Sequence, residues 1–95
     1  MNEEQIKRSL QSIGVTCFVK YFEAFSDLRK VDLDLIDAFM KIEGWEESGA
    51  KTRVSQSRRI FREGCEMLAL KLAAQSKNVS PWVVAKAKEL SASST

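Results

Sequence analysis

The segment from Gly49 to Gly64, "GAKTRVSQSRRIFREG", concentrates positive charge and hydroxyl groups in one stretch of the chain. Its only acidic residue is Glu63, near its end. Arginine and lysine neutralise phosphates, and Ser, Thr and Gln side chains hydrogen-bond to base edges. Because like charges one helical turn apart repel, such a segment favours binding to an anionic partner. The basic residues are Lys51, Arg53, Arg58, Arg59 and Arg62.

The rest of the chain offers little that could support catalysis. The sequence contains no histidine, which removes the imidazole base and the commonest metal ligand. Cys17 and Cys65 lie far apart among apolar neighbours, so we expect two reduced thiols without an activating partner. No glycine-rich phosphate loop is present. We therefore expect a protein that is not an enzyme and that holds no metal and no cofactor.

The charge of the chain is divided unequally between its two halves. Residues 1–47 carry six basic and ten acidic residues, a net charge of −4. Residues 48–95 carry nine basic and three acidic residues, a net charge of +6. Such asymmetry indicates a directional surface that faces nucleic acid, an acidic protein or an anionic membrane.

The spacing of apolar residues is helical along nearly the whole chain, and no run alternates as a half-buried strand does. The sequence predicts an all-α fold, a single compact domain of five to six short helices over residues 1–90, with a flexible tail at 91–95. Thr16, Asp32 or Asp34, and Ser80 are the predicted N-caps. The predicted helices cover residues 2–12, 17–28, 33–43, 47–62 and 65–76, and a last one begins at Pro81.

The predicted core is built from apolar side chains at helical spacing, and the aromatic second helix is its centre. Trp45 and Trp82 are expected to pack against this core rather than to anchor a partner. The predicted core residues are Ile6, Leu10, Ile13, Phe18, Val19, Tyr21, Phe22, Phe25, Leu35, Ile36, Phe39, Met40 and Ile42.

A helical wheel divides the predicted helix at 47–62 into two faces. The core sector holds Ala50, Val54, Ser57 and Phe61. The opposite, exposed face is basic and rich in hydroxyl groups. It holds Lys51, Ser55, Arg58 and Arg62, with Thr52 and Arg59 at one margin, Gln56 beside it and Arg53 nearer to the core boundary.

The region from Leu35 to Phe61 is a helix, a short glycine-containing turn and a second helix with a polar, basic outer face. In outline this resembles the helix-turn-helix unit, whose second helix lies in the major groove of DNA. The resemblance implies that residues early in the second helix meet bases and that later arginines meet phosphates. The first group is Ser48, Lys51, Thr52, Ser55 and Gln56, and the second is Arg58, Arg59 and Arg62, with Arg53 completing the predicted site.

The leading hypothesis is a small cytoplasmic DNA-binding protein that regulates transcription and binds double-stranded DNA as a homodimer. One alternative is a helical protein-protein interaction module, an adaptor or inhibitor, that docks its basic helix on an acidic protein partner. Another is a solvated helix whose arginines pair with the acidic first half of the chain. RNA binding is a third possibility, but no motif in the sequence supports it. No apolar run approaches the roughly 18 residues of a membrane span, so no membrane partner is expected.

Overall fold

Seven α-helices and no strand make up residues 1–93, the part of the chain that the computed structural model describes. The Cα radius of gyration is 12.5 Å, close to the value of about 12 Å expected for a compact chain of this length. The predicted all-α single domain is confirmed. The helices are α1 (Glu3–Ile13), α2 (Val15–Lys20), α3 (Phe22–Ser26), α4 (Asp32–Glu43), α5 (Glu47–Arg62), α6 (Glu66–Ala74) and α7 (Pro81–Ser93).

The predicted aromatic helix is two short helices, because the chain bends at Tyr21 between α2 and α3. The predicted cap at Thr16 is wrong: α2 begins at Val15, and Gly14 precedes it with a φ of +89°. That backbone conformation is one that glycine adopts readily and other residues avoid.

The start of α4 also differs from the prediction. Neither Asp32 nor Asp34 caps it, since Val31 occupies the N-cap position without a side-chain hydrogen bond. The end of α4 is as predicted, with Gly44 in the left-handed conformation at φ +71°.

Residues 91–93, predicted to belong to the tail, continue the last helix, α7. The other two residues of the predicted tail, 94 and 95, lie outside the described residues. Within residues 1–93, no helix is both long enough and apolar enough to cross a membrane.

The longest helix, α5, lies at the centre of the fold and packs against α1, α3, α4 and α6. Phe61 of α5 meets the predicted aromatic core, with its ring centroid 5.8 Å from that of Phe18 and 5.0 Å from that of Phe22. Two predicted core residues are instead largely exposed, Ile42 at 67% and Trp82 at 48%. Trp45 is half-buried and its ring centroid lies 5.8 Å from that of Phe39, as core packing requires.

Candidate nucleic-acid interface

One side of α5 remains exposed between α1 and α4, and we call it the exposed strip. Helix α1 runs antiparallel to α5 along one flank, where Ser9 Oγ donates a hydrogen bond of 2.9 Å to Gln56 Oε1. Helix α4 lies along the other flank. Six of the nine predicted site residues are exposed there: Ser48, Lys51, Thr52, Ser55, Arg59 and Arg62.

Arg58 is not on the exposed strip, and its burial excludes the predicted contact with phosphate. Its side chain is completely buried. Nη1 donates to the carbonyl oxygens of Phe25 at 3.0 Å and Asp27 at 2.7 Å. Nη2 donates to the carbonyl oxygen of Lys30, and Nε donates to Asp32 Oδ1 at 2.9 Å. These bonds use the guanidinium to fasten the connection between α3 and α4 onto α5.

The α4 flank of the exposed strip has mixed charge. Lys51 Nζ lies 2.7 Å from Glu47 Oε1, and this hydrogen bond lowers the pKa of the Glu47 carboxyl. Arg62 Nη2 lies 3.5 Å from Asp32 Oδ1. Both pairs are exposed and therefore weak. The pairing of Arg58 and Arg62 with Asp32 agrees with the alternative in which arginines of this helix pair with acids of the first half.

The α1 flank of the exposed strip is different, because it forms a polar groove of about 210 Å³. Exposed arginines from two helices line it, Arg8 of α1 and Arg59 of α5. None of the described residues that line the groove is acidic. Its remaining lining consists of hydroxyl and amide side chains: Gln5, Ser9, Ser12 and Gln56.

Arg8 is not among the site residues that the sequence predicts. It lies 51 residues before Arg59, and only the antiparallel packing of α1 on α5 brings the two to one groove. The amphipathic pattern of residues 2–12 predicts that Arg8 is exposed, but it contains no information about which helix lies beside it.

The hydroxyl groups of the exposed strip are accessible. Thr52 Oγ1 donates to the carbonyl oxygen of Ser48 at 3.0 Å, which leaves its lone pairs free to accept. Ser55, one turn further along, makes no hydrogen bond through its side chain to any described residue. Donors and acceptors of this kind suit contact with base edges or with phosphate oxygens.

Arg53 lies outside the α1 flank groove, and its half-buried side chain stacks on Trp45. Its Cζ atom lies 4.3 Å from the Trp45 ring centroid. The helical wheel predicts Arg53 near the core boundary, and the residue lies there.

Among residues 1–93, no group of three or more carboxylate, thiol or imidazole side chains is arranged to hold a metal ion. Cys17 and Cys65 are free thiols. Comparison with known proteins gives no match for this chain among protein-family models, curated sequences or solved structures.

Proposed function

We propose that this protein binds double-stranded DNA as a small transcriptional regulator, with the α1 flank groove against the phosphate backbone and the exposed strip facing the bases. The observation that supports this proposal is the pairing of Arg8 and Arg59 in one groove whose described lining contains no acid. A duplex carries one negative charge per about 1.7 Å of its axis, so a pair of arginines on adjacent helices suits its backbone.

The proposal revises the roles that the helix-turn-helix resemblance implies. Arg8 and Arg59 contact phosphates, and the Ser and Gln side chains of the groove add hydrogen-bond donors. Ser48, Thr52 and Ser55 face the bases from the exposed strip. Arg58 takes no part, since its donors are used inside the protein.

Fluorescence anisotropy with a labelled mixed-sequence duplex, titrated at several salt concentrations, tests the proposal. Each phosphate contact contributes about 0.9 to the slope of log K against log salt. The variant Arg8→Ala/Arg59→Ala should bind more weakly on every sequence, with a slope smaller by roughly 2.

The matched control is Lys41→Ala/Lys77→Ala, which removes the same charge from exposed positions outside the groove. This control should keep most of the affinity and the full slope. Equal losses in the two variants would mean that net charge, and not the groove, attracts DNA. Absence of binding by the wild-type protein at low salt would refute the proposal.

A single helix reads few base pairs, and we propose a homodimer on DNA for this reason. Sedimentation velocity of the protein with and without a duplex checks the stoichiometry. One protein chain bound per duplex at saturation would contradict the dimer and leave the groove proposal standing.

A second candidate function, a protein-protein interaction module, is supported by the open groove between α6 and α7. The groove has a volume of about 550 Å³ and is lined largely by Met67, Leu68 and Leu70, with Lys71 and Lys88 as its charged residues. This combination suits an acidic amphipathic helix. A labelled helical peptide of that kind should bind the wild-type chain and lose affinity for Lys71→Glu/Lys88→Glu, whereas unchanged binding would exclude this groove.

A further inference from the structure

A small pocket lies where the C-terminal end of α1 and the start of α2 meet the first turns of α5. Its volume is about 290 Å³, near the lower end of the range for small-molecule sites, roughly 300 to 1,000 Å³. Apolar and aromatic side chains form much of its wall, and two cations and one carboxylate, that of Glu43, also line it. The residues that matter here are Ile13, Cys17, Tyr21 and Trp45, with Lys20 and Arg53.

The guanidinium of Arg53 is held in place by two neighbours. The Trp45 ring lies on one side, 4.3 Å from Arg53 Cζ to the ring centroid. On another side lies Gly49, where an added Cβ would come within 2.9 Å of Arg53 Nη1. Glycine inside a helix costs about 1 kcal/mol relative to alanine, and at this position it provides the room that the stacked arginine occupies.

The second cation, Lys20, already has a partner. Its Nζ atom donates to Glu43 Oε1 at 3.0 Å, and Tyr21 Oη also donates to Glu43 Oε1. Hydrogen bonds from Tyr21 and Lys20 lower the pKa of the Glu43 carboxyl, which is therefore ionised at neutral pH. Because Glu43 balances Lys20, Arg53 supplies the unmatched positive charge of the pocket.

The N–H groups of Arg53 make no hydrogen bond to any described residue, although the side chain is half-buried. A stacked, planar guanidinium presents a preorganised fork that matches a carboxylate. The thiol in the same wall is not a nucleophile, because burial raises the pKa of Cys17 to about 12. The pocket therefore suits noncovalent binding of an anion that also has an apolar body.

We propose that this pocket binds an aromatic carboxylate, with the carboxylate on Arg53 and the ring against the wall formed by Ile13, Cys17 and Tyr21. The ring matches the apolar and aromatic wall, and the carboxylate matches the single unbalanced cation. The site is distinct from the α1 flank groove, so its test is independent of DNA binding.

Trp45 provides the readout. Trp82→Phe removes the only other tryptophan of the chain from an exposed position, and Trp45 fluorescence then reports on the pocket alone. Sodium benzoate should produce a saturable change in emission, against sodium chloride at matched ionic strength. Benzamide, which has the same ring without the charge, should bind at least tenfold more weakly.

Two substitutions in this background identify the anion-binding group. Arg53→Gln should reduce benzoate affinity at least tenfold. Gly49→Ala keeps every charge but places a methyl group within 2.9 Å of Arg53 Nη1, which must shift, so it should weaken benzoate binding severalfold. Thermal unfolding accompanies each titration, and Gly49→Ala should unfold no earlier than its parent because alanine favours the helix.

The proposal is overturned if benzoate and benzamide bind alike, if benzoate gives no saturable signal, or if Arg53→Gln binds benzoate as its parent does. Gly49→Ala with unchanged benzoate affinity would show that the stacked position of Arg53 is irrelevant, which also contradicts the proposal. Should Gly49→Ala unfold early, Arg53→Gln still decides the question.

Discussion

Arg58 and Arg59 are adjacent in sequence and in the same helix, yet the first is buried and the second is exposed. The Arg58 side chain is wholly buried and bonded to the connection between α3 and α4. Arg59, rotated by about 100° around the helix, is exposed in the α1 flank groove. A run of positive charge in the sequence is therefore not one surface, because one of its members can be buried in the structure while the next is exposed.

The two arginines differ in whether nearby backbone carbonyl groups accept hydrogen bonds from them. Residues 27–31 are outside any helix; the carbonyl group of Asp27 accepts from the Lys30 N–H, but that of Lys30 has no backbone donor among the described residues. Arg58 supplies donors to the carbonyl groups of Asp27 and Lys30, and Asp32 balances its charge. The Arg59 side chain makes no hydrogen bond to a described residue, and beside it in the α1 flank groove Ser9 Oγ donates to Gln56 Oε1.

The largest expected effect is on stability, from Arg58→Ala. The substitution removes all four hydrogen bonds of the guanidinium and leaves a void, and we expect it to lower the free energy of unfolding by about 3 to 5 kcal/mol. Urea denaturation followed by circular dichroism measures this change. A decrease in the free energy of unfolding of less than about 1 kcal/mol would mean that Arg58 is no more important to stability than an exposed arginine such as Arg59.

Arg58→Lys keeps the positive charge but removes the planar, forked guanidinium, and so separates the effect of charge from that of hydrogen-bond geometry. An ammonium group cannot reach Asp32 and the separate carbonyl groups together, so we expect a loss of about 2 to 3 kcal/mol. The same denaturation measurement applies. Wild-type stability in this variant would show that position 58 requires charge alone.

Ser57 lies beside Arg58 on the buried side, and its Oγ atom has no hydrogen-bond partner among the described residues. Ser57→Ala should raise the free energy of unfolding by about 1 kcal/mol, because it removes a buried unpaired hydroxyl and favours the helix. Ser55→Ala, on the exposed strip, is the control for helix propensity. Equal changes in the free energy of unfolding at the two positions would mean that the Ser57 hydroxyl has a hydrogen-bond partner in the folded protein.

The smallest expected change in stability is from Arg59→Ala, within about 0.5 kcal/mol of the wild type. Differential scanning calorimetry resolves this difference when it is run beside Arg58→Ala. A much larger loss would place Arg59 in the structure of the protein and would remove it from the proposed interface.

The helical class, most helix limits and the aromatic core were predictable, because each follows from apolar periodicity or from glycine and proline at helix ends. Ala50, Val54 and Ser57 lie on the buried side of α5 as the wheel predicts. The wheel failed at Arg58 because the connection between α3 and α4 covers this position of α5, which the apolar sector alone does not indicate. A single-helix pattern carries no record of neighbouring helices, and charged residues are rarely buried.

The candidate site was less predictable for the same reason. Six members of the predicted set lie on the exposed strip, since exposure follows from periodicity. Arg8 joins Arg59 only through tertiary packing. The stacking of Arg53 on Trp45 beside Gly49 depends on the path of the chain from α4 to α5, which local sequence does not determine.

The bonds from Arg58 to Phe25, Asp27, Lys30 and Asp32 also couple the local unfolding of two parts of the molecule. They join α5 to a stretch between 26 and 33 residues earlier in the chain. Backbone amides of α4 should therefore exchange with solvent deuterium in one cooperative unit with those of α5. The connection between α3 and α4 has no helix of its own, yet we expect its amides to be protected from exchange for as long as those of the central helix to which it is bound.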